Sequence, residues 1–134
     1  TAHIIRTCCK ELTPCMLENP RTSMMWIEPA IAKLRRADSA EIQHFDQCQY
    51  GTPWKKGTSI CCWLCGHEQD LCAHCTGREG ICSTSGKSHI VLTGTSKVHK
   101  KLWTAVAQVY PRKLARTIAA KLVLASRLLT NAFG

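Results

Sequence analysis

Acidic residues stop at Glu79, aromatic side chains make up only 6% of the 134 residues, and no apolar run approaches the ~18 residues of a membrane span. The missing apolar run predicts a chain without a membrane-spanning helix. Few aromatics predict a modest core despite an apolar share of 45%, because Phe, Tyr and Trp bury the most area per residue. No basic segment leading into an apolar one marks a signal peptide, and the sequence opens at Thr1 rather than Met. The expectation is a fragment of an intracellular protein, nuclear if eukaryotic, amounting to one ordinary domain or a piece of a larger one.

The acid-free tail decides where the charge lies. Residues 1–79 hold nine Lys/Arg against nine Asp/Glu, so the whole net charge of +9 belongs to residues 80–134. That block comprises Lys87, Lys97, Lys100, Lys101, Arg112, Lys113, Arg116, Lys121 and Arg127. A one-signed block attracts phosphate through counterion release and steers anionic partners inward. DNA is the partner expected, with contacts from Lys55, Lys97, Lys100, Lys101, Arg112, Arg116 and Arg127. A solvated surface is the plainer alternative.

Ten cysteines are present. Without a secretory leader, their Cys-x-x-Cys spacings point to reduced thiols and a metal rather than to a disulfide framework. Cys62-x-x-Cys65 and Cys72-x-x-Cys75 form one possible tetrathiolate set, and Cys72, Cys75, Cys82 and His89 form another. Zinc takes four S/N ligands tetrahedrally, with sulfurs at ~2.3 Å. The second set is favoured because all four residues lie where the chain has no apolar periodicity of its own and something other than a core must order it.

Along the chain, residues 2–12 read as a short helix. Residues 13–17 read as a strand that ends at Glu18, since Pro20 cannot continue it. Pro29 suits the first position of a helix reaching about Ala37. Residues 40–49 and 58–64 read as two strands joined by the turn 51–57, and residues 88–93 as a brief third. Pro111 opens the strongest helix, with Leu114, Ile118, Leu122, Ala125 and Leu129 on one face and Arg112, Arg116 and Arg127 opposite.

Two strings carry further chemistry. Glu18-Asn19-Pro20-Arg21 places a carboxylate at a strand end, and Cys48-Gln49-Tyr50-Gly51 leads through Pro53 to Lys55-Lys56-Gly57-Thr58-Ser59-Ile60. A partly buried Glu is a suitable acid for a ring nitrogen, and a fixed cation polarises an exocyclic oxygen. The two strings, in this order and spacing, resemble the second half of a DNA cytosine-5 methyltransferase, in a phage-like branch of that family. The resemblance covers roughly residues 10–64, and Tyr110-Pro111-Arg112-Lys113-Leu114 looks like the start of that branch's closing helix. It implies an α/β fold, an incomplete Rossmann-like C-terminal half, with Glu18, Asn19 and Lys56 as catalytic residues. Trp54 stands where the family generally has Gln, and Lys56 and Thr58 where it has Arg. Lysine lacks the bidentate fork of arginine.

The resemblance also shows what is missing. The family's nucleophile is a Cys in a Pro-Cys dipeptide several tens of residues before the Glu-Asn motif. Only seventeen residues precede Glu18, and Pro14-Cys15 has the right letters in the wrong place. The Gly-rich turn that holds S-adenosylmethionine is absent too, so that cofactor belongs only to a complete protein with the missing N-terminal half. The organisation expected is 1–64 as methyltransferase-like strands and helix, 65–107 as a Cys/His-rich segment suited to target recognition, and 108–134 as a basic closing helix. The alternative function is a non-catalytic, zinc-stabilised basic module that binds nucleic acid.

Overall fold

The computed structural model describes residues 1–68 and 70–134. In chain order the elements are α1 (Ala2–Lys10), β1 (Cys15–Pro20), a 3-10 turn (Met24–Ile27), α2 (Pro29–Leu34), β2 (Ala40–Asp46) and a second 3-10 turn (Gln47–Tyr50). There follow β3 (Gly57–Trp63), β4 (Thr95–Ser96), β5 (Lys101–Leu102), α3 (Trp103–Val106) and α4 (Arg112–Phe133). The class is mixed α/β. The main sheet has the order β1-β3-β2, with β3 antiparallel to both neighbours, and β4 and β5 form a separate two-stranded ribbon. A parallel Rossmann-like sheet is therefore not what these residues form. β1 and β2 run in the same direction, but β3 lies between them.

β3 is central because its residues from Thr58 onward are all buried. Cys61 and Trp63 face one layer, where Ile5 of α1, Trp26 and Ile31 of α2 pack. Ile60 and Cys62 face the other, with Phe45, Tyr50, Leu71, Leu114 and Ala125. This period-2 alternation lets one strand serve two cores. α2 starts where the Glu28 carboxylate accepts the Ile31 N–H at 3.0 Å, with Pro29 at the first helical position. It ends at Leu34 rather than Ala37, the last residues tightening into i→i+3 bonds from Arg36 to Lys33 and from Ala37 to Leu34.

β1 runs on to Pro20, which lies opposite Thr58. The expected stop at Glu18 fails because β1 is an edge strand with one strand neighbour, and there a proline need not interrupt the ladder. Residues 88–93 do not form a strand. Ser88 makes one bridge to Ile81, and the Ile90 N–H goes to the Pro53 carbonyl, so this stretch has no strand to lie along. α4 buries Leu114, Lys121 and Ala125. Among the described residues no helix is long and apolar enough to cross a membrane.

Candidate metal centre

Four hydrogen bonds from β2 moor the long segment after β3. The Gln43 side-chain amide, buried on β2, donates to the Glu68 carbonyl and accepts from the Leu71 N–H, both at 2.7 Å. The Asp46 carboxylate accepts the Cys75 N–H at 2.9 Å, and the Asp46 N–H goes to the Ala73 carbonyl at 3.0 Å. At the far end Ile81 and Ser88 bridge, and the Cys82 N–H donates to the Lys87 carbonyl at 2.8 Å, which sets Cys82 and His89 side by side. Gly77 lets the two halves close. A Cβ there would lie 1.8 Å from the Ile81 carbonyl oxygen.

The result is a set of four ligand atoms, from Cys48, Cys75, Cys82 and His89, all within 4.8 Å of one another. The three sulfurs are buried and form their own small cluster, and His89 is partly exposed. Cys75 Sγ lies 3.7 Å from His89 Nε2. The donor set of three thiols and one imidazole can hold a metal ion such as zinc.

Cys75, Cys82 and His89 of the expected set are therefore brought together, but Cys72 is not among them. It is exposed. Its neighbours are held by β2: Gln43 draws Leu71 inward and Asp46 takes the Ala73 carbonyl, while residues 72–74 all remain exposed before Cys75 turns in. Cys48 supplies the fourth ligand. It sits on the 3-10 turn directly after β2, which ends at Gly51 in the left-handed region (φ 97°). Cys62 and Cys65, from the alternative set, lie in the other core.

The surroundings favour bound charge. The Ser83 hydroxyl and N–H and the Gly77 N–H point at Cys75 and lower its thiol to about 7. The Ser85 N–H, then Thr84 N–H and the Ser85 hydroxyl, outweigh burial and lower Cys82 to about 7. Burial raises Cys48 to about 12, and its contacts with Cys75 and Cys82 add to this. Two sulfurs thus carry charge readily while the third keeps its proton, a crowding that a divalent cation relieves. Gln49 Nε2 also donates to Cys48 Sγ at 3.4 Å. Such N–H···S bonds orient ligands from outside the coordination sphere.

The expected catalytic residues lie elsewhere. Glu18 is partly buried on β1, opposite Ile60, and one carboxylate oxygen accepts the Tyr110 hydroxyl. The other oxygen, Oε1, is buried without a hydrogen-bond partner among the described residues. Partial burial, then the bond to Glu18 and its charge, raises the Tyr110 phenol above its ordinary value. Met16, Ile60, Ile118 and Leu122 line the cavity beside this pair, of about 380 Å³. Asn19 follows opposite Ser59. Lys56 lies in the turn before β3 and donates to the Ala107 carbonyl at 3.0 Å, at the end of α3. No ion pair joins Glu18 to Lys56 among the described residues, so residues 107–110 supply partners to both. Trp54 is buried and donates to Gln47 Oε1 at 3.2 Å, while Thr58 is fully buried. Two of the three departures from the methyltransferase pattern, Trp54 and Thr58, are thus core residues here.

Lys55, Lys97, Lys100, Lys101, Arg112, Arg116 and Arg127 are all exposed. Lys121 is the exception in the basic block. It is buried and donates to Asp70 at 2.7 Å and to the Glu68 carbonyl at 2.9 Å. Set against known protein families, curated proteins and solved structures, the chain matches none of them.

Proposed function

We propose that the chain is a nucleic-acid-binding module in which zinc, held by Cys48, Cys75, Cys82 and His89, orders a loop that helps to present a basic surface to phosphate. The observation that carries this reading is the four-ligand set, gathered from the end of β2 and a loop with no core of its own. Four protein ligands leave no open position for substrate, as in structural rather than catalytic zinc sites. The basic surface is tied to the set at two points. Lys87 lies in the turn between Cys82 and His89, and Lys113 of α4 donates to the Gln49 carbonyl next to Cys48 at 3.4 Å. Duplex DNA affinity should fall with salt at a log–log slope of about −0.9 per phosphate neutralised. Replacing Arg112, Arg116 and Arg127 by Gln should flatten that slope by about 2.7 if each meets one phosphate. An unchanged slope with the helix intact by circular dichroism would assign the charge to another partner.

A second reading is favoured by Glu18: the chain is the C-terminal part of a DNA cytosine-5 methyltransferase-like protein. A buried carboxylate oxygen without a partner is costly, and the ring N–H of a protonated base would satisfy Oε1 in a cavity that is otherwise largely apolar. The outer edge of β1 pairs with no described strand, which leaves room for the sheet to be completed as a Rossmann-like one. Transfer of a methyl group then needs a nucleophile and an S-adenosylmethionine site from a preceding half. The purified chain should show no methyl transfer to DNA. In a complete protein Glu18→Gln should cut turnover strongly with DNA affinity nearly unchanged. Loss of affinity without loss of turnover would count against this reading.

A further inference from the structure

Cys62 and Cys65 take no part in the metal set, yet they stand together beside a cavity of about 450 Å³ between residues 65–68, Asp70 and α4. Cys65, His67, Asp70, Thr117, Lys121 and Leu128 are among the residues that line it. Cys62 is the penultimate inward residue of β3. Leu64, in the left-handed region (φ 61°), turns the chain so that Cys65 comes back against it, and the Cys62 thiol hydrogen-bonds the Cys65 sulfur. Cys65 Sγ is fixed 3.3 Å from the Trp63 carbonyl oxygen and 3.8 Å from that of Cys15.

We propose that Cys62 and Cys65 are a two-cysteine redox pair that exchanges with low-molecular-weight disulfides entering through this cavity. Cys65 is the attacking group, because it lines the cavity while Cys62 is sealed behind it in the strand. The groups that face Cys65 are Cys62 from β3, Lys121 from α4, Asp70 after β3 and Cys15 from β1. The Cys62 hydrogen bond and the Lys121 ammonium outweigh burial and the Asp70 charge, and together hold the Cys65 thiol below its ordinary value. The same bond and burial hold Cys62 above it. An attacking thiol held below its ordinary value beside a resolving thiol held above it is the arrangement that exchange requires.

The step balances without a further oxidant. Cys65 attacks one sulfur of the small disulfide, whose S–S bond breaks; the Cys65 proton ends on the released sulfur, which leaves as one small thiol, and a mixed disulfide remains on Cys65. Cys62 then attacks the Cys65 sulfur, and its proton ends on the departing thiolate. The second small thiol leaves. Two protein thiols are oxidised to one disulfide, and one external disulfide is reduced to two thiols.

The test uses the full chain, zinc-loaded, with glutathione disulfide as probe, followed by alkylation of the remaining thiols and peptide mass mapping. The expected result is a Cys62–Cys65 disulfide formed before any other, with zinc retained. Cys62→Ser should accumulate a glutathione adduct on Cys65, and Cys65→Ser should lose both the adduct and the disulfide. The proposal is overturned if Cys65 in the wild-type chain stays a free thiol while exposed Cys72 takes up glutathione. It is equally overturned if Cys65 joins a different cysteine.

Discussion

Replacing Gly77 by alanine adds a single methyl group where the two halves of the metal loop meet. The backbone of Gly77 is not in the left-handed region, so the glycine is required for space and not for its φ. The new Cβ would lie 1.8 Å from the Ile81 carbonyl oxygen and 2.8 Å from the Ser83 nitrogen, both backbone atoms with no flexible end to move aside. The 81–83 segment must therefore shift away from 75–77. Ser83 is the casualty, because its N–H and hydroxyl reach Cys75 Sγ at 3.4 and 3.5 Å and its hydroxyl also takes the Thr76 N–H at 3.1 Å. One hydrogen bond to a charged acceptor contributes about 1.5–3 kcal/mol. Losing one of those to Cys75 weakens zinc by roughly 10- to 100-fold, the range seen when groups outside the coordination sphere are removed. A competition titration against a chromophoric chelator measures this directly. Gly80→Ala is the control: its φ of 78° makes alanine strained by roughly 1–2 kcal/mol, yet nothing lies within 4 Å of the added carbon. Gly80→Ala should lower stability, but its effect on zinc should be smaller than that of Gly77→Ala. Unchanged zinc affinity in Gly77→Ala would refute the argument that this close approach builds the site.

Gln43→Leu preserves volume but leaves the Glu68 carbonyl without its β2 donor and the Leu71 N–H without its acceptor, so urea unfolding should show a loss of about 2–5 kcal/mol. Both tyrosines are held above the ordinary phenol value, Tyr110 by burial and Glu18, and Tyr50 by burial with the Cys72 and Asp70 charges adding. A folded-state pKa above the unfolded one contributes stability that is full below about pH 10 and is lost as pH rises through the folded value. Tyrosinate absorbance should therefore appear in the native protein at higher pH than in the unfolded chain, and Glu18→Gln should bring the Tyr110 part of it to lower pH.

The elements that an apolar period defines were legible. The Ile-, Cys- and Trp-rich run 58–64 corresponds to β3, buried on both faces, and the 3.6 period from Leu114 to Ala125 to α4, where burial on one side follows from spacing. The inward turn of Lys121 follows the same spacing, being seven residues after Leu114 and four before Ala125. Counted only as a charge in a basic block, it looked like surface. Cys75, Cys82 and His89 were legible because their segment lacks a core. Cys48 was not, since a strand extended to residue 49 places it in a sheet. The chain actually leaves the strand at Asp46, whose carboxylate holds the metal loop while the following 3-10 turn carries Cys48 to the site. The Cys-x-x-Cys template also drew attention to Cys72, which lies in the exposed stretch 72–74 between buried Leu71 and buried Cys75. Order and spacing of the Glu-Asn-Pro-Arg and Cys-Gln-Tyr-Gly strings gave no hint that Tyr110 and the Ala107 carbonyl would be the partners of Glu18 and Lys56, because contacts between distant positions leave no local pattern.

The central claim is that Cys48, and not Cys72, completes a Cys3His site with Cys75, Cys82 and His89. Zinc content of the chain purified under reducing conditions, compared with that of Cys48→Ala and Cys72→Ala, tests it most directly. The account predicts about one zinc per chain in the wild type and in Cys72→Ala, and zinc lost to a moderate chelator from Cys48→Ala alone. A chain that carries no zinc, or one that keeps it without Cys48 and loses it without Cys72, would contradict it.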